Sequence, residues 1–252
     1  MVGPRSRSAR CTASRSPISV RVQSSSTSAA GTWSAIPNVR SKSEKRSPPS
    51  TASEPTTAPA TTRSYTRAVS GAPLNDSGSG LAPAGDGWFV VNVRDTQWLT
   101  SENGEKKPSG SECSFESQEF EFPQLGIRLH VLEPGEPNGL YHSESEQEDF
   151  LVLSGECTLL VEGEERVLRP WDFFHSPAGT EHIFLGAGDG PCVILMAGAR
   201  SEPWQVHYPV SEFAARYGAS VDEETSDPRQ AYAQFEPSRR ERPSYWDRLP
   251  WA

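Results

Sequence analysis

Between Trp88 and Arg200 the chain breaks into eight short runs rich in β-branched and aromatic residues, each closed by a turn signal, and this rhythm constrains the fold more than any other feature. The runs are Trp88–Val93, Gly126–Leu132, Asp149–Leu153, Cys157–Val161, Glu165–Leu168, Asp172–His175, Glu181–Leu185 and Cys192–Ala197. Pro134-Gly135, Ser154-Gly155, Glu162-Gly163, the turn from Pro177 to Gly179 and the stretch from Gly186 to Pro191 punctuate them. Eight strands in so short a span predict an all-β domain of the jelly-roll kind, two sheets enclosing a lined interior.

The flanks have a different texture. Residues 1–80 hold 28 Ser or Thr, and eleven Lys and Arg against three acids, with almost no apolar clustering. Such a stretch buries too little surface to offset the entropy of ordering it, so it reads as a disordered extension. Three readings of it stand: a spurious extension from a start codon placed too far upstream, a targeting segment rich in Arg and Ser, or a solvated interaction arm. The remaining residues carry 13 bases against 30 acids, a net charge of −17. That surplus repels nucleic-acid phosphate and anionic lipid, so neither is an expected partner.

Beyond Arg200 the pattern turns helical. Val210, Phe213, Ala214 and Tyr217 fall at helical spacing, and Asp227-Pro228 suits the start of a second helix. The closing stretch mixes Arg239, Arg240 and Arg242 with Tyr245, Trp246 and Trp251, and reads as a tail that packs back on its own domain or on a second subunit, with a nucleic-acid contact as the lesser alternative. The expected organisation is residues 1–80 as extension, 81–200 as β-barrel and 201–252 as helical appendix. Cys11, Cys113, Cys157 and Cys192 have neither metal-ligand spacing nor a disulfide pattern, which makes reduced thiols and a cytoplasmic location the expectation. No apolar run approaches the roughly 20 residues a spanning helix needs.

The chemistry concentrates between Gly135 and Gly186. His142 opens the stretch HSESEQEDFLVLSG, and Trp171 opens WDFFHSPAGTEHIFLG. The first resembles the cupin superfamily motif G(x)5HxH(x)3-4E(x)6G: His142, Glu148 and Gly155 match, Glu144 replaces the second His, and the leading Gly is out of register by one. The second resembles G(x)5PxG(x)2H(x)3N, matched by Pro177, Gly179 and His182, with Trp171 where Gly is usual and Gly186 where Asn is usual. The resemblance spans about 110 residues and implies a single cupin jelly-roll barrel binding a divalent metal ion such as Mn, Fe, Zn or Ni.

Imidazole nitrogen and carboxylate oxygen together suit first-row divalent ions, so His142, Glu148 and His182 are the expected ligands. His142 and Glu144 lie two apart and share a face if the segment is extended. Glu144 is therefore a fourth metal ligand, a catalytic general base, or a bystander. Glu146 reads as a solvated acid, and Gln147 as pointing away from Glu148. His130 lines the barrel either opposite the ligands or as an ordinary hydrogen-bonded residue; His175 and His207 read as structural. Cys157 and Cys192 read as small core residues.

The cupin fold serves many chemistries, so function rests on the site. The leading expectation is a metal-dependent enzyme, oxygenase or isomerase in type, acting on a small metabolite. The alternative is a non-catalytic module binding a small molecule or sugar. The resemblance also implies a homodimer, with Trp88–Val93 and the C-terminal helices as contacts.

Overall fold

The computed structural model describes residues 70–101 and 108–252; the expectation of disorder for residues 1–69 lies outside them. Thirteen strands and two four-residue helices appear among the described residues, in chain order β1 (Leu74–Asp76), β2 (Leu81–Pro83), β3 (Trp98–Ser101), β4 (Gly110–Ser114), β5 (Leu125–Leu132), β6 (Ser143–Glu144), β7 (Glu148–Ser154), β8 (Glu156–Val161), β9 (Glu164–Leu168), β10 (Phe173–Ser176), β11 (His182–Ala187), β12 (Cys192–Ala199), β13 (Val206–His207), α1 (Glu212–Ala215) and α2 (Pro228–Ala231). The architecture is all-β, as the rhythm of short runs predicts.

One antiparallel sheet has the order β10-β7-β12-β5-β4-β3, and a second has β11-β8-β9. Their facing sides share one core. Leu132, Phe150, Val152, Ile194 and Met196 come from the larger sheet, and Cys157, Leu159 and Phe184 from the smaller. Each fully buried side chain of this size contributes roughly 1.5–3 kcal/mol.

Strand β5 shows how period-two alternation places the site. Leu129 and Val131 face one side, where they meet Trp98, Cys113 and Val193. Arg128 and His130 face the other and line the interior. The outer face is covered by the C-terminal tail: Trp246 and Trp251 stand 5.3 and 5.6 Å from Trp98 between ring centroids, and Thr100 pairs with Arg239 as an added antiparallel bridge. The larger sheet is thus covered on both sides.

Two expectations change. The run Trp88–Val93 is not a strand. Trp88 makes a lone bridge to Gly71, and Asn92 gathers the backbone into a turn, its side chain accepting from Arg94 N–H at 2.9 Å and its carbonyl from Asp95 N–H at 2.8 Å. Local bonding of this kind competes with a ladder. In addition, β1 and β2 pair in a hairpin that begins inside the stretch assigned to the extension, at Leu74. The helical appendix is present but short. Ser211 caps α1 by accepting from Ala214 N–H, and Asp227 caps α2, with Pro228 at its first turn, by accepting from Arg229 N–H.

The departures from the cupin motif have local causes. A Cβ at Gly186 would lie 2.1 Å from the Glu133 carbonyl oxygen, so the usual Asn has no room. Trp171, where Gly is usual, sits at φ 77°, a left-handed conformation that costs an L-residue roughly 1–2 kcal/mol, and its side chain is 75% exposed. Trp171→Gly is therefore expected to stabilise the protein by about 1 kcal/mol, read as a higher urea midpoint. A lower midpoint would show that the exposed indole contributes more than the strain costs.

Candidate metal centre

The two histidines meet across a strand pair. His182 N–H donates to the His142 carbonyl at 2.8 Å and His142 N–H to the His182 carbonyl at 3.3 Å, which sets the rings side by side with centroids 5.2 Å apart. Glu148, the first residue of β7, is paired with Ser176 on β10 and Gly198 on β12. The site therefore spans both sheets. One ligand atom from each of His142, Glu148 and His182 lies within 4.8 Å of the other two.

The backbone fixes which nitrogen faces the centre. Nδ1 of His142 is 2.7 Å from the Leu140 carbonyl oxygen, and Nδ1 of His182 is 3.1 Å from the Thr180 carbonyl oxygen. A carbonyl only accepts, so both Nδ1 atoms carry the proton and donate it. Each neutral ring then presents its Nε2 lone pair inward, the arrangement that prepares an imidazole for a metal. His182 Nε2 stands 3.5 Å from Glu148 Oε2, with the His182 side chain 3% exposed and Glu148 equally so. A lone pair facing a buried carboxylate is repulsive unless a cation lies between them.

Electrostatics agree. Burial among Phe150, Phe174 and Phe184, followed by the nearby His142, pushes His182 down to about 3, so its ring is neutral at physiological pH. Burial, then the Glu144 carboxylate, pushes Glu148 up to about 8, with His142 pulling the other way. For His142, burial acts to lower its pKa, but the Glu144 and Glu148 carboxylates and the Leu140 carbonyl outweigh it and raise it. At neutral pH a proton on Glu148 thus holds the place that a divalent ion would fill, and the residues fit such an ion.

Glu144 lies beside this trio. Its Oε2 accepts from the Trp204 indole N–H at 2.9 Å, and its Oε1 is 3.7 Å from His142 Nε2. The strand β13 brings these partners in. Val206 pairs with Glu144 and His207 with Ser143, so the same register sets Tyr208 against His142, ring centroids 5.6 Å apart. Tyr208 in turn meets Tyr232 edge to face at 5.9 Å, and Tyr232 Oη accepts from Leu140 N–H at 3.0 Å. Burial first, then the Tyr232 hydroxyl and the carboxylates of Glu144 and Glu148, push the Tyr208 phenol well up, so it stays protonated.

All these groups open on one cavity of about 140 Å³. Its far wall carries Glu112, which receives Arg128 Nη1 at 3.1 Å and His130 Nε2 at 3.2 Å. Burial alone would raise the Glu112 carboxyl, but Arg128 and His130 bring it down to about 2. His130 therefore both lines the interior and is hydrogen-bonded. The other sequence candidates lie elsewhere: Gln147 donates to Asp149 at 2.6 Å on the exposed side, Glu146 accepts from Ser201, His175 pairs with Asp149 at 2.7 Å, and half-exposed His207 is 4.0 Å from Glu224. Cys157 and Cys192 are buried in the core. Trp204, Tyr208 and Tyr232 were missed; the alternation Trp204, Val206, Tyr208 was the available signal for the first two.

Comparison with known proteins agrees with this geometry. The family profile of the cupin domain matches residues 128–198, the stretch that carries all three residues of the trio. Residues 128–198 form a cupin domain. No curated protein matches it. Among solved structures the chain is similar to a cupin superfamily sugar phosphate isomerase from Silicibacter pomeroyi, with 23% identity over 49% of this chain and 83% of that one, TM-score 0.41. It is also similar to a polyketide cyclase from Streptomyces resistomycificus, with 15% identity over 46% and 83%, TM-score 0.38. A protein described as a predicted oxalate decarboxylase from Thermotoga maritima shares 20% identity over 44% and 99%, TM-score 0.38. The cupin domain here is framed by added segments on both sides, and the C-terminal one reaches into its cavity through Trp204, Tyr208 and Tyr232. Among the described residues no helix is long and apolar enough to cross a membrane.

Proposed function

We propose that the protein is a metal-dependent enzyme that moves a proton on a small polar metabolite, with His142, Glu148 and His182 holding a first-row divalent ion and Glu144 serving as general base. The observation that carries this reading is the pair of inward Nε2 lone pairs, fixed by Nδ1–H bonds to Leu140 and Thr180, converging on the buried carboxylate of Glu148. Two imidazoles and one carboxylate leave coordination positions open. A bound ion supplies a Lewis acid that polarises a substrate oxygen.

The rest of the chemistry belongs to the chain. Trp204 holds one oxygen of Glu144 and leaves Oε1 facing the site, so the carboxylate is aimed without being spent. Proton transfer to a positioned carboxylate contributes about 10²–10⁴-fold to a rate. The cavity's size limits the substrate to a small molecule, and the apolar walls from Phe150, Ile183 and Met196 exclude water from the reacting groups.

Metal affinity should follow pH in a defined direction. Glu148 must lose its proton to bind, and with a pKa of about 8 it competes with the ion throughout the neutral range. The affinity for Co(II) is therefore expected to tighten by about tenfold per pH unit from roughly pH 6 to 8 and to level off above that. Calorimetric titration of protein stripped of metal checks this. An affinity indifferent to pH, or weakening as pH rises, contradicts the ligand assignment. A ligand screen that stabilises the protein without turnover and without metal dependence would favour a binding module instead.

A further inference from the structure

The hydroxyl of Tyr208 is an unspent donor inside the site. Tyr208 is 6% exposed and lines the cavity, yet its phenol oxygen has no hydrogen-bond partner among the described residues. The hydroxyl opens on the cavity rather than lying sealed in the packed core, so this donor beside the metal trio is free to meet something that enters. Packing explains the ring: it lies against His142 and edge to face on Tyr232. A phenylalanine would pack equally well there. The oxygen is the part that packing leaves unexplained.

The surrounding groups define what would enter. Trp204 occupies one oxygen of Glu144, leaving Oε1 as the acceptor that faces the trio. Tyr208 supplies a donor on the same strand pair, two residues along from the Val206 position opposite Glu144. A base and a separate donor beside one small cavity suit a molecule with an acidic C–H next to a carbonyl. We propose that Tyr208 orients a small carbonyl substrate by donating to its oxygen while Glu144 receives the proton from the adjacent carbon, which makes α-hydroxy carbonyl compounds the substrate class.

The step balances within the site. The C–H bond breaks, its proton passes to Glu144, and its electron pair forms the carbon–carbon double bond as the carbonyl π pair moves onto oxygen. Tyr208 holds that oxygen with its O–H throughout. Return of the proton from Glu144 to the former carbonyl carbon, with the hydroxyl proton passing from the second oxygen to the first, moves the carbonyl along by one carbon and completes an isomerisation with no redox partner required. This inference rests on the metal reading above, and the test separates the two.

The full chain is loaded with Co(II), and its visible absorption is followed during titration with acetohydroxamate, a planar oxygen-rich mimic of an enediolate, and in parallel with imidazole, which offers no acceptor oxygen to a donor at Tyr208. Tyr208→Phe is expected to weaken acetohydroxamate binding by about tenfold, the effect of one hydrogen bond to a charged group. Imidazole affinity, Co(II) stoichiometry and melting temperature should stay as in the wild type. Equal acetohydroxamate affinity in both proteins overturns the proposal. So does equal weakening of both probes, which would assign Tyr208 a packing role, and so does a lower melting temperature, which would mean that the hydroxyl is bonded within the fold. Wild-type protein that takes up no Co(II) overturns the metal reading and this role with it.

Discussion

Glu148→Gln is expected to make the metal-free protein more stable at neutral and alkaline pH while abolishing its hold on a divalent ion. The sign follows from the direction of the shift. The folded protein binds the Glu148 proton more tightly than the unfolded chain does, with a pKa of about 8 against an ordinary 4.5. Its stability is therefore fully present below about pH 4.5, declines as pH rises, and has lost this contribution once pH passes about 8. A shift of that size corresponds to a few kcal/mol at most, given its coupling to Glu144 and His142. Gln keeps the shape, removes the charge and cannot replace the carboxylate as an anionic ligand. Urea unfolding of stripped protein from pH 5 to 9 should show the wild type losing stability and the variant holding level. If the variant is the less stable protein at pH 8, burial of the Glu148 charge is not the liability described, and the site has another way of neutralising it.

His182→Ala is expected to weaken metal binding by about a hundredfold or more, since removing a ligand exceeds the 10–100-fold cost of losing an outer partner. The ring also fills space against Phe150, Phe174 and Phe184, so the alanine variant carries a packing loss as well. His182→Gln, closer in volume, separates the two effects. It should retain most of the stability and still lose the metal, as read by calorimetric titration. Retention of wild-type affinity in the glutamine variant would remove His182 from the ligand set.

The parts of the fold that were legible in the sequence are those where apolar residues mark the strands. Seven of the eight runs coincide with β5 and β7–β12, because each contributes Leu, Ile, Val, Phe or Cys to the core between the sheets. Strands β3 and β4 gave no such signal. Their sequences, WLTS and GSECS, are mostly small and polar because they line the cavity or face the tail, and their pairing comes from neighbours distant in sequence. Trp88–Val93 failed in the opposite sense: it is apolar enough for a strand, but Trp88 and Val90 are 62% and 83% exposed and Asn92 turns the chain.

The site divides the same way. His142, Glu148 and His182 could be picked out by motif spacing, since each occupies a fixed place relative to a turn or strand end. Their tautomers could not, because the carbonyls of Leu140 and Thr180 act through the backbone and carry no side-chain identity. Trp204 and Tyr208 reach Glu144 and His142 only because β13 pairs with β6 across about sixty residues of sequence. Tyr232 arrives from still further along, on the segment expected to be an appendix. That appendix is part of the cavity wall.

The central claim is that His142, Glu148 and His182 hold a divalent ion, and elemental analysis of the full chain purified without chelator or added metal tests it most directly. The account predicts about one equivalent of a first-row divalent ion per chain, with nearly all of it lost in His182→Gln. Less than about a tenth of an equivalent in the wild type, persisting after incubation with Mn(II), Fe(II), Co(II), Ni(II) and Zn(II) at pH 8, would contradict it.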